Sequence, residues 1–179
     1  FEQRLQTLQS QLDVSQKATQ QVTQSTQAAS KQLVLNEELT RILIDQQLIE
    51  AGWQADTQEL TYAKGARPEK GKNLAIAEWP TLGKEAADYV LFAGLTPIAV
   101  VEAKRENTNV AGKIPQAERY SRGYRQLPDA QPAWQREGLA AGWPDAQGSH
   151  FEIPFVYSSN SRPYLQQLAE QSGTWFRDV

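Results

Sequence analysis

From Phe1 to Leu33 a set of positions recurs at alternating spacings of four and three: Phe1, Leu5, Leu8, Leu12, Ser15, Thr19, Val22, Thr26, Ala29 and Leu33. That is the period of a coiled-coil seam, and it predicts one long helix. The filling is poor. Ser15, Thr19 and Thr26 bury little and the segment is rich in Gln, Ser and Thr, so an isolated dimer of it would be marginal. Packing on its own domain, self-association and docking on a partner all stay open for this helix. After Leu33 the seam positions become Asn36, Thr40 and Gln47, while an apolar stripe appears at Leu39, Ile42, Leu43 and Ile49. The new phase predicts a second helix that closes near Ala51-Gly52, where Gly supplies a left-handed residue. The phase change also divides the chain into a helical leader, 1–35, and a domain, 36–179.

Beyond Gly52 the period changes from helical to extended. Gln58–Tyr62 and Asn73–Glu78 read as strands flanking the Gly/Pro/Lys-rich loop Ala63–Lys72. Asp88–Phe92 and Pro97–Glu102 are apolar runs joined by Ala-Gly-Leu-Thr, a hairpin buried on both faces. Pro115–Gln126 suits a helix. Residues 127–150, rich in Pro, Gly, Ala, Gln and Trp, read as a surface excursion, and Phe155–Ser158 as a last core strand. The predicted class is α/β, a mixed sheet flanked by helices and preceded by the long leader helix.

With 179 residues, there is room for one compact domain and an appendage. The absence of cysteine excludes disulfides, thiolate metal sites and a cysteine nucleophile. No run approaches a membrane span, and Phe1-Glu2-Gln3-Arg4-Leu5 lacks the layout of a signal peptide, so a cytoplasmic protein is expected. A net charge of −3 excludes a generally basic surface and leaves affinity for nucleic acid to two local patches. One is Lys64, Arg67, Lys70 and Lys72; the other is Lys104, Arg105, Lys113, Arg119, Arg122 and Arg125. His150, the sole histidine, falls in the excursion, which argues against histidine-based catalysis. Trp79 and Trp134 are candidates for core anchors or for stacking on bases.

Chemistry concentrates at one end of the hairpin. Asp88 opens its first strand and Glu102-Ala103-Lys104 closes the second, so chain reversal at Gly94 brings the three charges together. Glu102 and Lys104, two apart on a strand, share a face. Charges at the end of an apolar run are costly unless paired. A hard cation such as Mg²⁺ accepts two carboxylates, a carbonyl such as that of Ala103, and phosphate oxygens. Lys104 is suited to orient or help deprotonate a water and to offset charge on a phosphate. An Asp–Lys or Glu–Lys pair at a strand end is the simpler alternative.

Asp followed by Glu-x-Lys across a hairpin is the pattern of the PD-(D/E)xK nuclease superfamily. The stretch from Asn36 to Asp178 further resembles the N-terminal nuclease region of type I restriction enzyme R subunits. The likeness is carried by Asn-Glu-x-Leu-Thr-Arg at 36–41, Ala51-Gly-Trp53, Lys-Gly-x-Arg-Pro-Glu-Lys-Gly at 64–71 and Ala-Asp-Tyr-Val-Leu-Phe at 87–92. It continues through Thr-Pro-Ile-Ala-Val-Val-Glu-Ala-Lys-Arg at 96–105, Gln116-Ala-Glu-Arg-Tyr120, Phe155-Val-Tyr-Ser-Ser-Asn160 and Trp175-Phe-Arg-Asp178. The resemblance implies a restriction-endonuclease-like fold, metal binding by Asp88 and Glu102, catalysis by Lys104, and support of the site or of DNA by Gln116 and Tyr120. It adds Glu37 as an acidic residue near the metal, against a plain role at a helix N-terminus. It implies a bacterial or archaeal Mg²⁺-dependent endonuclease of duplex DNA, acting with methyltransferase (M) and specificity (S) subunits. In that family, ATP-driven motor domains follow this region. No Gly-x-x-x-x-Gly-Lys-Ser/Thr loop occurs in these residues, so ATP is expected to concern only the full-length subunit. An assembly module that docks on the methyltransferase core through the leader helix is the alternative.

Overall fold

The computed structural model describes residues 38–104, 109–160 and 174–178. The seam of residues 1–33, and with it the coiled-coil expectation, lies outside the described residues.

A helix described over 38–50 (α1) stops where the sequence places a stop. Gly52 has φ +93°, and the amides of Gly52 and Trp53 bond the carbonyls of Ile49 and Leu48 at 3.0 and 2.9 Å, a glycine-dependent closure of the last turn. Its buried face differs from the expected stripe. Ile44 is buried and Leu48 half-buried, together with Thr40 and Asp45, whereas Leu39, Ile42, Leu43 and Ile49 are exposed. Periodicity located an apolar side of the helix, and the sheet receives another. Asp45 fits there because its carboxylate accepts the Thr57 amide at 2.7 Å, which offsets part of the cost of burying it.

Among the described residues, six strands form one mixed sheet in the order β1 (Gln54–Ala55), β2 (Asn73–Pro80), β3 (Ala86–Ala93), β4 (Thr96–Ala103), β7 (Phe155–Ser159) and β8 (Thr174–Asp178). The expected strand at 58–62 is absent; Thr61 makes only an isolated parallel bridge to Ala77, and the edge is taken by Gln54–Ala55. The hairpin β3–β4 is antiparallel, as expected, and β7 lies parallel to β4. A parallel neighbour requires a crossover. That crossover contains α2 (Ile114–Arg122), α3 (Ala133–Arg136) and a small hairpin, β5 (Trp143–Pro144) with β6 (His150–Phe151).

The sheet is buried on both faces, which is why its strands are nearly continuous apolar runs. Ala75, Ala77, Tyr89, Leu91, Ala99 and Val101 pack with Ile44 and Leu48 of α1. Leu74, Ile76, Val90, Phe92, Val100 and Val156 pack with Ala117 and Tyr120 of α2. Residues 127–150 are therefore only partly a surface excursion, because Ala130 belongs to this second layer and Pro132 and Trp134 are also buried. Nor are Trp79 and Trp134 stacking platforms for bases. Trp79 is fully buried between Tyr62, Phe92 and Tyr124, at centroid distances of 5.0, 4.7 and 5.8 Å, and Trp134 donates to Glu152 at 3.1 Å. Both satisfy the usual requirement that a buried indole N–H find an acceptor. For Trp79 that acceptor is the Arg125 carbonyl, at 3.1 Å.

Candidate active site

The pairing of β3 with β4 sets Asp88 beside the Glu102-Ala103-Lys104 end. One Asp88 oxygen accepts the Ala103 amide at 2.8 Å, so the carboxylate is fixed to the neighbouring strand through the backbone. Its other oxygen meets Arg41 Nη2 at 3.1 Å. Glu102 is 2% exposed and forms an ion pair with Lys104. Its Oε2 is buried and has no hydrogen-bond partner among the described residues, an arrangement that costs free energy unless a further group satisfies it.

Electrostatics reflect that crowding. Burial, and then the adjacent Asp88 charge, push the Glu102 carboxyl up to about 7 in spite of Lys104. Burial also raises Asp88, against the pull of the Ala103 amide, Arg41 and Lys104. For Arg41, burial opposes the charge, but Asp88 and Glu78 outweigh it and hold the guanidinium above its ordinary value. Burial thus outweighs the two cations beside these acids and holds both carboxyls above their ordinary values.

The expected residues thus fall into three groups. Asp88, Glu102 and Lys104 converge, and Ala103 contributes its amide to Asp88. Gln116 and Tyr120 lie on α2 and hydrogen-bond to each other at 2.7 Å. Tyr120 is buried, and its hydroxyl is raised by burial and by the charges of Glu102 and Asp88, against the Gln116 bond. Glu37 lies outside the described residues. Among the described residues no cluster of three or more His, Cys, Asp or Glu is arranged to hold a metal. A cation here would take two carboxylates from the protein and complete its shell from backbone, water or substrate. The hard oxygen donors and the unsatisfied Glu102 Oε2 fit Mg²⁺ on those terms.

Two participants carried no functional expectation. Arg41 extends from α1 and places Nη1 at 3.2 Å from Glu78 while Nη2 holds Asp88. Glu78 has φ +53°. Its strand position is bracketed by the pairs Ala77–Tyr89 and Trp79–Ala87, which sets it across from Asp88. A glutamate interrupting Leu-Ala-Ile-Ala-Glu-Trp was the available signal, a charge inside a buried strand.

Arg105 lies outside the described residues, and several described cations of the two basic patches already have partners. Lys64 pairs with Glu59 and Lys72 with Glu69, and Arg67 lies over the Tyr62 ring. Arg122 joins Glu118 and Asp145 and covers Phe151. Arg119, with a 3.8 Å contact to Glu85, and Arg125 are exposed near the α2 side.

Residues 54–179 match the family model described as "Type I restriction enzyme EcoKI endonuclease subunit second domain". The chain is also 46% identical, over 170 residues, to the type I restriction enzyme EcoKI endonuclease subunit of Escherichia coli (strain K12). That alignment takes in 86% of this chain but 14% of the relative, so the chain spans about one seventh of the relative's length. No solved structure matches the chain significantly.

Proposed function

This chain belongs to the family of type I restriction enzyme endonuclease subunits, and on that premise we propose that it is the Mg²⁺-dependent nuclease unit, hydrolysing phosphodiesters of duplex DNA with a PD-(D/E)xK site. The observation that carries the reading is the buried Glu102, with one oxygen on Lys104 and the other without a hydrogen-bond partner among the described residues, next to Asp88.

Asp88 and Glu102 hold the ion, with the carbonyl of Ala103 as a further donor. Bound there, Mg²⁺ supplies Lewis-acid polarisation of the phosphate and activation of water. The Ala103 amide keeps Asp88 from rotating away. Lys104 sits at the same strand end, where its ammonium orients the attacking water and offsets charge on the phosphate as it develops. Counting Asp88, Glu102 and Glu78 against Arg41 and Lys104, the ionised cluster carries three negative and two positive charges, a net −1. A divalent ion turns that to +1, which suits a phosphodiester carrying −1. Gln116 and Tyr120 close the α2 side and brace the site or the DNA. Contacts are expected mainly with phosphates, through cations such as Arg119 and Arg125, leaving sequence choice to a specificity subunit. The M and S subunits are the proposed partners, and ATP is a matter for motor domains elsewhere in the full-length subunit.

Lys104→Ala in the full-length protein tests the site. DNA cleavage should be lost while ATP-driven translocation continues; unchanged cleavage would refute the assignment. The heptad spacing of residues 1–33 favours a second, compatible reading, docking on the methyltransferase core through that segment. Deleting residues 1–33 should then weaken assembly of the complex, and intact assembly would exclude it.

A further inference from the structure

Among the described residues, Glu78 alone of the non-glycine residues has a positive φ, 53°. An L-residue with a long side chain is strained in this region, and such strain persists where the surroundings impose it, commonly near functional sites. Two results of this conformation are visible. The strand changes phase, so that Trp79 enters the same core as Leu74 and Ile76. In addition, the Glu78 carboxylate reaches Arg41 Nη1 at 3.2 Å.

The second contact decides how Arg41 meets Asp88. A guanidinium facing one carboxylate tends to close on it with two parallel hydrogen bonds. Here its two terminal nitrogens are divided, Nη1 to Glu78 and Nη2 to Asp88 at 3.1 Å. Asp88 therefore receives a single bond from Arg41, and its other oxygen takes the Ala103 amide at 2.8 Å.

We propose that Glu78 is a positioning residue for this site: by dividing the Arg41 guanidinium, it prevents a bidentate Arg41–Asp88 pair and keeps the Asp88 carboxylate able to take a divalent cation. The proposal rests on Asp88 and Glu102 being cation ligands. Without the ion, Arg41 offsets part of the charge on the buried Asp88. When a divalent ion arrives, the Arg41 charge has to yield, and Glu78 retains the guanidinium without further rearrangement of α1. If Glu78 were neutral, the arginine would have Asp88 as its one ionic partner in this triad. The ion would then have to break a stronger pair.

The test is calorimetric titration of Mn²⁺ into the full-length protein without ATP or DNA, using Asp88→Asn to define the binding that belongs to this site. Glu78→Gln should weaken that binding roughly tenfold, the low end of what a charge-assisted hydrogen bond is worth. In an Arg41→Met background the same change at Glu78 should have no effect, because the group it acts through is gone. Glu78→Gly, which relaxes the backbone at positive φ, should melt no lower than wild type yet show the same loss of affinity. Unaltered affinity in Glu78→Gln or Glu78→Gly overturns the proposal, as does an equal loss with and without Arg41. If wild type shows no Asp88-dependent binding at all, the cation reading itself fails, and the role of Glu78 falls with it.

Discussion

Glu102→Gln should stabilise the metal-free protein, and by an amount that depends on pH. The Glu102 carboxyl is raised from 4.5 to about 7, first by burial and then by the Asp88 charge. The folded state therefore binds this proton more tightly than the unfolded chain does. The favourable contribution is fully present below the unfolded value of 4.5 and is lost as pH rises through about 7. At 1.36 kcal/mol per pKa unit, the penalty at pH 8 is roughly 3 kcal/mol. Glutamine resembles the neutral acid in shape and cannot ionise, so it escapes that penalty. Lys104 then loses its partner, which returns part of the gain and leaves roughly 1–3 kcal/mol at alkaline pH. For a domain of this size, that corresponds to a rise in its Tm of roughly 3–9 °C. Scanning calorimetry with a chelator present, at pH 5 and pH 8, measures it. The variant should melt well above wild type at pH 8 and nearly with it at pH 5. Excess Mg²⁺ should narrow the gap by stabilising wild type preferentially, since the ion binds the folded state. An equal difference at both pH values, or a less stable variant at pH 8, would refute the claim that a buried, under-compensated carboxylate sits here.

Other consequences separate the site from its scaffold. Tyr120→Phe removes the hydroxyl that accepts from Gln116 at 2.7 Å; stability should change by about 1 kcal/mol, and DNA cleavage should fall while Asp88-dependent Mn²⁺ affinity measured by calorimetry stays at the wild-type value. Trp79→Ala empties the centre of the α2-side core and should cost roughly 3–5 kcal/mol in denaturant unfolding; a loss below about 1 kcal/mol would contradict its burial. At Gly142 an added Cβ would come within 2.0 Å of the Phe151 carbonyl oxygen, so Gly142→Ala should force β5 and β6 apart and lower Tm by several degrees, roughly 2 kcal/mol or more.

What the sequence revealed of the fold follows from how local each determinant is. The β3–β4 hairpin was legible because both strands are uninterrupted apolar runs and the turn between them is short. The closure of α1 at Gly52 was legible because a left-handed glycine is a local signal. The buried side of α1 was not, since four apolar side chains face outward and the sheet receives Thr40, Ile44 and Asp45 instead. That choice depends on which polar groups find partners across the fold, as Asp45 does with Thr57 twelve residues on. The edge strand was misplaced for a similar reason. Gln54–Ala55 pairs with Leu74 and Ala75 through backbone bonds that no side-chain pattern announces.

The site divides along the same line. The proximity of Asp88, Glu102 and Lys104 was legible because hairpin geometry alone brings the two strand ends together, with no need to know where any helix packs. Arg41 and Glu78 enter through contacts 47 and 37 residues apart in sequence, and those require the seating of α1 and the change of strand phase at Glu78. Both facts belong to the assembled domain. The charges at this sheet end therefore come in two kinds: a triad set by one hairpin, and an outer pair set by the packing of a helix against it. Changes to the hairpin acids should alter affinity for the cation directly. Changes that shift α1 without touching the hairpin, such as replacing Ile44 in its buried face, should reach the same affinity only through Arg41, and should lose their effect on Mn²⁺ binding once Arg41 is removed.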